Sequence, residues 1–330
     1  MIVSGTRENG FVLAVTLWIL AVITIGAAFF AQRVGASIAL AQQSQQTTEA
    51  MMELASTRAE ILFRLATTRL SLYGLGPTLQ SAIALDDRPY RGTGDDTVRL
   101  QDSAGLINVN FVQPEMLLRL LGQMGVPAEN RDVLLDTLND YTDTDDFRRL
   151  NGAEAAEYRA RGLLPPPNDF LVTPWQLQNI IGWKEQATLW KDQRLFEIVT
   201  TARVLSFNPN TAPREVLATL PGSSLENADS LIRLRTVNPF TRFSQLGSLV
   251  DRARMDSDSV FFVPSNTVQL TQESDKIPGA LRSQIVLTPQ GSRAPWRIDY
   301  SLRTSVSSKV PNTNELPPLP SRVAYSATPE

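Results

Sequence analysis

The sequence predicts an α+β protein in which a long N-terminal helix packs on an antiparallel sheet, with a large all-α domain inserted into this unit. Three observations support this fold class. An apolar run at residues 11–31 continues as helix-forming sequence without proline to residue 72. Segments rich in Val, Ile, Thr and aromatic residues, which favour strands, lie mainly after residue 194. Helical patterns fill most of residues 106–194 and return after residue 207, so they interrupt the helix-plus-sheet unit.

The apolar run is long enough to cross a lipid bilayer. It has 21 residues, and no charged side chain lies between Glu8 and Arg33. As a helix it spans about 30 Å, which matches the hydrocarbon core of a bilayer. A secretory signal peptide has a shorter apolar region, and a buried core helix is not apolar on every face over such a length. We therefore predict one membrane-spanning helix at residues 11–32.

The helix is expected to continue beyond the membrane. Apolar residues recur at three- and four-residue steps from Met51 to Leu65, which forms one stripe suited to packing on a sheet. A coiled-coil stalk is the alternative, but the pattern at residues 42–49 is too irregular for sustained heptads.

The composition excludes several classes of function. The chain has no Cys and no His, so it cannot build Cys or His zinc sites, disulfides, Ser-His-Asp triads or a Cys nucleophile with a His base. Lys and Arg number 31 against 34 Asp and Glu, without the basic excess that favours binding to a phosphate backbone. Most hydrolase and redox chemistry is therefore excluded, and nucleic acid is not a favoured partner.

The residues at the start of the apolar run resemble a type IV prepilin cleavage site. Gly10 stands directly before Phe11, which opens the hydrophobic helix. The resemblance implies that a prepilin peptidase cuts after Gly10 and that the mature, methylated chain begins at Phe11. Pilins and pseudopilins usually have Glu at the fifth mature position, whereas this chain has Val15 there. That departure and the large size resemble minor pseudopilin K of type II secretion systems, the GspK family.

Two internal segments extend the resemblance. Residues 102–110 (DSAGLINVN) resemble the family's junction between a strand and an inserted helical domain. Residues 134–158 (LLDTLNDYTDTDDFRRLNGAEAAEY) resemble its helix, Asp-rich loop and Gly-Ala-Glu stretch. The resemblance extends to about Thr304 and implies a type IV pilin-like fold.

The resemblance also implies a function in secretion rather than an enzymatic one. A chain of this family would lie in the bacterial inner membrane as a single-pass protein, with its C-terminal region in the periplasm. It would cap the tip of the periplasmic pseudopilus and help to initiate its assembly. The implied partners are the minor pseudopilins I and J, the major pseudopilin, the prepilin peptidase and the inner-membrane secretion platform. Because Val15 lacks a carboxylate, it could not pair with a neighbour's N-terminal ammonium, which is consistent with a terminal position.

Six residues recur at an offset of 100 positions. The identical pairs are Asn108 and Asn208, Asn110 and Asn210, Glu115 and Glu215, Leu117 and Leu217, Leu120 and Leu220, and Gly122 and Gly222. Each copy has Asn before a predicted helix and Gly after its end, so we expect the four Asn side chains to cap these helices.

The second copy also resembles a helix-hairpin-helix motif, and a membrane-anchored DNA receptor is therefore the alternative function. In such motifs a Gly-rich hairpin lets backbone amides approach phosphate. Here Ser224 replaces the usual second Gly and Glu226 follows, so phosphate approach is poorer on steric and electrostatic grounds. We expect both copies to be structural or subunit-contacting elements.

Five acidic residues cluster near the end of a predicted helix: Asp140, Asp143, Asp145, Asp146 and Glu154. Carboxylate oxygens suit Ca²⁺, but the residue spacing of an EF-hand loop is absent, so the residues alone favour a solvated acidic loop. The family resemblance implies Ca²⁺ in the helical domain, which makes Ca²⁺ the one expected cofactor. Paired carboxylates also serve glycosidases, but no cleft or substrate-binding aromatics can be identified, and we expect no enzyme.

The predicted organisation has eight parts. They are a prepilin leader at 1–10, the membrane helix at 11–32, a periplasmic helix with the first strands at 33–105, an inserted helical domain at 106–194, a strand of the main sheet at 195–207, a second helix-hairpin-helix-like unit at 208–255, C-terminal strands at 256–304 and a flexible Pro-rich tail at 305–330.

Overall fold

The structure is a computed structural model that describes residues 9–305 and 313–321. Most of the predicted leader, residues 1–8, and the tail residues 306–312 and 322–330 lie outside the described residues. Contacts divide the chain into two compact units, one up to Met52 and the other from Glu53 onward.

The first helix, α1, runs from Asn9 to Thr67. The part up to Met52 includes the apolar run, whose side chains are exposed. By length and composition this helix is able to cross a membrane, as predicted. The helix ends at Thr67 because the chain turns into a short hairpin at Gly74, where φ is 115° and a Cβ would lie 2.2 Å from the Ile83 carbonyl oxygen.

Strands lie before and after the helical region in sequence. The strands are β1 Leu70–Ser71, β2 Gly74–Leu75, β3 Asp86–Arg91, β4 Asp96–Asp102, β5 Ile107–Asn108, β6 Val199–Thr200, β7 Thr267–Ser274, β8 Ile277–Leu287 and β9 Trp296–Thr304. The further α-helices are α2 Pro114–Gln123, α3 Ala128–Thr142, α4 Ala155–Ala160, α5 Ala187–Trp190, α6 Leu195–Ile198, α7 Arg214–Leu217 and α8 Leu225–Val237. Short 3₁₀ helices lie at Ser103–Gly105, Pro174–Asn179, Lys191–Gln193, Phe243–Leu246, Arg252–Arg254, Ser257–Ser259 and Thr313–Glu315.

Five strands form one antiparallel sheet in the order β3-β4-β7-β8-β9. Strands β4 and β7 are neighbours, although residues 103–266 separate them in sequence. The helical domain is therefore inserted between two adjacent strands, which confirms the predicted fold class.

A buried carboxylate fixes the point where the chain leaves the sheet and returns. Asp102, the last residue of β4, is fully buried and accepts hydrogen bonds from the Ser265 backbone N–H at 2.9 Å and from Asn208 Nδ2 at 3.0 Å. It also accepts one from Thr211 Oγ1 at 2.8 Å. Burial raises the pKa of Asp102, while these donors oppose the shift. One side chain thus joins the sheet, the return segment and the second repeat copy.

The two faces of the sheet differ in chemistry. One face packs on the last turns of α1, where Ile61 and Leu65 contact a core of alternating strand residues: Val98, Leu100, Val268, Leu270 and Ile285. Burial of each such side chain contributes about 1.5–3 kcal/mol. The other face is polar yet buried beneath the inserted domain. Gln101 Nε2 donates to the Thr211 carbonyl at 3.0 Å, and Arg282 Nη1 donates to the Phe196 carbonyl at 2.7 Å.

The inserted domain has its own apolar core. Trp183 and Tyr158 are among its largest fully buried side chains, and Trp183 Nε1 donates to the Leu134 carbonyl at 3.0 Å. Because the indole N–H finds a partner, this bulky residue is buried without an unsatisfied donor.

The predicted strand of the main sheet at 195–207 is wrong. Residues Leu195–Ile198 form α6, and Val199–Thr200 pairs in parallel with Ile107–Asn108 in a separate two-stranded sheet. All four residues of α6 are buried, and a short run that is buried throughout does not reveal by its periodicity whether it is helix or strand.

The predicted flexible tail is wrong for residues 313–321. The Arg91 backbone N–H donates to the Pro317 carbonyl at 2.9 Å, and Arg64 Nη1 donates to the Pro320 carbonyl at 2.6 Å. Leu316 is 8% exposed. Proline lacks an N–H but keeps its carbonyl, so this segment accepts one hydrogen bond from the edge strand β3 and one from α1.

Candidate functional site

The first Asn of each repeat copy closes a turn ahead of a helix. Asn108 Oδ1 accepts from the backbone N–H of Asn110 at 3.0 Å, and Asn208 Oδ1 accepts from that of Asn210 at 3.0 Å. The prediction that the four Asn side chains cap the helices is wrong. The helix that follows begins at Pro114 in one copy and at Arg214 in the other, four residues beyond the second Asn, and neither has a side-chain cap.

The second Asn of each copy holds two distant backbone segments. Asn110 Oδ1 accepts from Leu171 N at 2.8 Å, and its Nδ2 donates to the carbonyls of Leu171 at 2.9 Å and Thr201 at 3.0 Å. Asn210 forms the same three bonds, accepting from Phe240 N at 2.8 Å and donating to the carbonyls of Phe240 and Phe262, both at 2.9 Å. The repeat is therefore a duplicated hydrogen-bond frame.

A Gln residue completes each frame and was missed by the sequence analysis. Gln176 Oε1 accepts from the backbone N–H of Val172 at 2.6 Å and Thr173 at 2.9 Å.

In the second copy, Gln245 Oε1 accepts from the backbone N–H of Thr241 at 2.6 Å and Arg242 at 2.9 Å. The two Gln residues are 245 − 176 = 69 positions apart, whereas the Asn residues are 100 apart. A search at one fixed offset therefore misses them, and a search that allows a gap of 31 residues finds them.

The extra residues of the first copy form the acidic loop. The helix before the loop ends at Thr142, and Leu171, which Asn110 binds, lies 29 positions later. In the second copy only three positions separate Val237 from Phe240. The Asp-rich segment is therefore an insertion into one copy of the frame.

Arg149 lies between two of the predicted metal ligands. Its Nη1 lies 2.7 Å from Asp140 Oδ1 and 2.5 Å from Asp143 Oδ2, and its backbone N–H donates to Asp140 Oδ2 at 3.1 Å. The side chain of Asp140 is fully buried. A Cβ on Gly152 would lie 1.9 Å from Asp140 Oδ2, so the loop approaches this carboxylate as closely as only glycine allows.

Glu154 is the least compensated carboxylate of the loop. It is 5% exposed and faces the Glu157 backbone N–H in a capping box at the start of α4, but within the described part of the chain neither of its oxygens makes a hydrogen bond of normal geometry. Burial and, to a smaller extent, the negative charges of Asp140 and Asp143 together raise the pKa of Glu154 to about 7. An unpaired buried carboxylate is costly, and a cation would relieve that cost.

The other two predicted ligands bind within the loop. Asp145 Oδ1 accepts from the Phe147 backbone N–H at 2.8 Å, and Asp146 Oδ1 accepts from Asn168 Nδ2 at 3.1 Å. Among residues 9–305 and 313–321, no three acidic side chains are arranged as a metal site. Oxygen donors and the unpaired Glu154 nevertheless fit a hard cation such as Ca²⁺ in their chemistry.

The predicted cleavage site lies at the start of α1. The helix begins at Asn9, so Gly10 and Phe11 belong to its first turn. Val15 is 40% exposed and lies within the apolar run. These positions are consistent with the predicted anchor but do not test the cleavage.

Comparison with protein families gives a match within the inserted domain and the strand before it. Residues 98–190 match the family model described as type II secretion system protein K. The predicted resemblance to the protein K family is confirmed. The matched segment begins in β4 and contains the first repeat copy with its acidic loop.

The fold resembles a solved secretion component. A GspK chain in the crystal structure of the GspK-GspI-GspJ complex from the type 2 secretion system of enterotoxigenic Escherichia coli matches with a TM-score of 0.51 and 16% identity. The match covers 83% of this chain and 99% of that chain. At this identity the likeness shows the fold alone. The comparison with curated protein sequences found no match.

Proposed function

We propose that this chain is a minor pseudopilin of a type II secretion system that caps the tip of the periplasmic pseudopilus and helps to initiate its assembly. The observation that supports this best is the protein K family match at residues 98–190 on a fold that matches GspK over 83% of the chain. The chain would act by binding other subunits and not by catalysis.

The N-terminal helix would hold the chain in the inner membrane and later pack among other pseudopilin helices. Cleavage after Gly10 would free the amino group of Phe11. A carboxylate at the fifth mature position would pair with such an ammonium in hydrocarbon, but Val15 has none. The chain therefore lacks one of the contacts that would place it inside a filament.

The inserted domain supports a terminal position as well. It leaves the sheet after Asp102, returns at Thr267, and buries polar side chains of the central strands, such as Gln101, Gln269 and Arg282. The central part of this face is therefore closed to other subunits. A bulky domain attached there would obstruct any subunit stacked above it.

Partners I and J are proposed because the solved neighbour was crystallised as a GspK-GspI-GspJ complex. A deletion of this gene should abolish export and reduce the number of pseudopili, and the wild-type chain should restore both. A Gly10→Val chain, which resists the peptidase, should not restore them, whereas the matched variant Gly26→Val at an uncrowded helix position should. Normal export without the chain would contradict the proposal.

We further infer that the acidic loop binds Ca²⁺, and the unpaired Glu154 carboxylate is the observation that supports it. Because Asp140 and Asp143 bind Arg149, the ion would have to displace Arg149 before Asp140, Asp143 and Glu154 could hold it, and it would then stabilise the loop without a catalytic step. Excess Ca²⁺ should raise the melting temperature relative to chelator in wild type and in Asp275→Asn, which alters an exposed carboxylate elsewhere. Glu154→Gln should abolish the rise. An unchanged melting temperature in wild type would reject Ca²⁺ binding.

The DNA receptor alternative receives little support from the second copy. Arg214 pairs with Asp229, and a Cβ on Gly222 in the hairpin would lie 2.8 Å from the Asp251 backbone nitrogen. The hairpin is therefore packed against Asp251, an acidic residue that would repel phosphate. Salt-dependent DNA binding by the full chain would revive this alternative, and no binding at low salt would eliminate it.

A further inference from the structure

A cavity of about 110 Å³ lies between α8 of the second repeat copy and the segment from β1 to β3. Three charged residues line it, namely Asp86, Arg88 and Arg235. A cavity of this size has room for several water molecules or for one small polar group.

Arg235 presents unused donors at this cavity. Its Nη1 donates to the carbonyls of Pro209 at 2.8 Å and Ala212 at 2.7 Å. Neither Nε nor Nη2 has a hydrogen-bond partner among the residues that the structure describes, and neither atom is sealed off from solvent. The sequence analysis gave no role to this arginine.

In two other arginines, one at this cavity and one outside it, the same pair of nitrogens binds carboxylates. Arg88 Nε and Nη2 donate to Asp86 at 2.8 and 2.6 Å. Arg194 holds Glu215 with the same two atoms at 3.0 and 2.9 Å. This side of a guanidinium matches the two oxygens of a carboxylate, which is the geometry of the strongest charge-assisted hydrogen bonds.

The charges around the cavity are unbalanced. Arg88 and Asp86 neutralise each other in a bidentate pair, which leaves the positive charge of Arg235 in excess. Burial lowers the pKa of Arg235 to about 10, although the negative charge of Asp86 opposes the shift. A second positive charge, that of Arg88, adds to the lowering. An anion in the cavity would therefore be attracted.

Tyr90 supplies a second donor. It lines the cavity and is 6% exposed. Its phenol oxygen accepts from the Ala84 backbone N–H at 3.0 Å, and the hydroxyl hydrogen has no acceptor in the described structure. Because burial raises the pKa of Tyr90, the hydroxyl stays protonated and can donate.

We propose that this cavity binds a carboxylate group, held by Nε and Nη2 of Arg235 and by the hydroxyl of Tyr90. The binding group is small, because the cavity accommodates only a few heavy atoms. It is either a free monocarboxylate or the carboxylate of an acidic side chain that a partner presents. The site lies between the second copy and the sheet, and it does not depend on the proposed secretion function.

Binding of ¹³C-labelled acetate to the full chain in detergent micelles, followed by NMR line broadening, tests the site. Wild type should bind acetate saturably. Arg235→Gln should bind it at least about tenfold more weakly, because the positive charge and the paired Nε and Nη2 donors are both lost. Arg233→Gln, on the same helix and exposed, is the matched control and should bind as wild type does. Arg235→Lys keeps the positive charge but lacks the paired Nε and Nη2 donors, and it should bind acetate with an intermediate affinity.

Two further measurements keep the test decisive. Tyr90→Phe preserves the ring but removes the donor, and it should weaken acetate binding about threefold to tenfold while Arg235 is intact. If Arg235→Gln fails to unfold cooperatively, the Tyr90→Phe result decides. Absence of saturable binding by wild type below about 100 mM acetate, or equal binding by wild type and both variants, would overturn the proposal.

Binding of a second ligand distinguishes an acidic side chain of a partner from a free carboxylate as the natural occupant. The tripeptide N-acetyl-Gly-Asp-Gly-amide presents the carboxylate as a partner subunit would. Tighter binding of the peptide than of acetate supports an acidic side chain as the natural occupant, and tighter binding of acetate supports a free carboxylate. If Arg235→Gln weakens the binding of both acetate and the peptide, the two ligands bind at the same site.

Discussion

The two repeat copies share the same set of Asn and Gln hydrogen bonds but differ in the length of the segment between them. In each copy one Asn closes a turn, a second Asn binds a distant backbone segment through three hydrogen bonds, and a Gln accepts from two consecutive amides. Only the first copy has the acidic loop, which follows Thr142. The shared part is therefore structural, and the loop is the part that distinguishes the first copy from the second.

The frame explains why such a loop is tolerated. Asn110 binds both the N–H and the carbonyl of Leu171, so the end of the loop is fixed however many residues precede it. The apolar core beneath is unchanged, since Leu117 and its counterpart Leu217 are both fully buried. Phe147 and Leu150 in the loop are 83% and 90% exposed, whereas Tyr158 is fully buried, so the insertion adds mostly surface and anchors itself to the core through Tyr158.

The largest expected effect tests whether the two copies contribute equally to the apolar core that they share. Leu117→Ala and Leu217→Ala each leave a cavity at a fully buried position and should each lower the free energy of unfolding by about 2–5 kcal/mol. Chemical denaturation of the full chain measures both. A loss below about 1 kcal/mol for one variant alone would show that the copies do not contribute equally to this core.

Variants of Asn110 and Asn210 should distinguish the structural role that both residues share from the effect of Asn110 on the acidic loop. Asn110→Ala and Asn210→Ala each remove three hydrogen bonds and should each cost about 1–3 kcal/mol of unfolding free energy. Only Asn110→Ala should also reduce the response of the melting temperature to Ca²⁺, because Asn110 holds the loop. An equal Ca²⁺ response in both variants would contradict this division.

A smaller expected effect is a pH-dependent change in the free energy of unfolding that comes from Glu154 in the acidic loop. The pKa of Glu154 is about 7 in the folded chain against an ordinary value of 4.5, so the folded state binds this proton more tightly. Its contribution to stability is therefore full below pH 4.5 and is lost as the pH rises through 7.

In chelator, Glu154→Gln should accordingly be more stable than wild type by about 1–3 kcal/mol at about pH 8, and the difference should disappear by about pH 4.5. Denaturation curves across this pH range provide the measurement. A difference that does not change with pH would show that Glu154 titrates normally.

The smallest expected effect concerns the Gln residues. Gln176→Ala and Gln245→Ala each leave two backbone amides without their acceptor and should each cost about 0.5–2 kcal/mol. Thermal unfolding of the pair of variants measures the loss. If only one variant is destabilised, the Gln residues are not equivalent parts of the frame.

Much of this architecture follows from the sequence, because periodicity over long segments is strong evidence. The apolar stripe that includes Ile61 does pack on the sheet, and the strands around it alternate as predicted. Leu195–Ile198 was misassigned because burial on all sides removes the alternation that separates helix from strand. The tail contact at Pro317 depends on a distant edge strand, which no local pattern reveals.

The candidate sites were predictable in part. The acidic loop was recognised from composition, but the position of Arg149 between Asp140 and Asp143 depends on how the loop folds back. Gln176 and Gln245 were hidden by the insertion that changes their offset. The unused donors of Arg235 are visible only when every neighbour of the guanidinium is known.

The central claim is that this chain ends a filament together with two other minor pseudopilins. Light scattering on the mature full chain in detergent, mixed with the minor pseudopilins I and J of the same secretion system, tests it most directly. We expect one species that contains the three chains in a 1:1:1 ratio, and no growth of the chain alone with concentration. Open-ended homopolymers, or no association with either partner, would contradict the account.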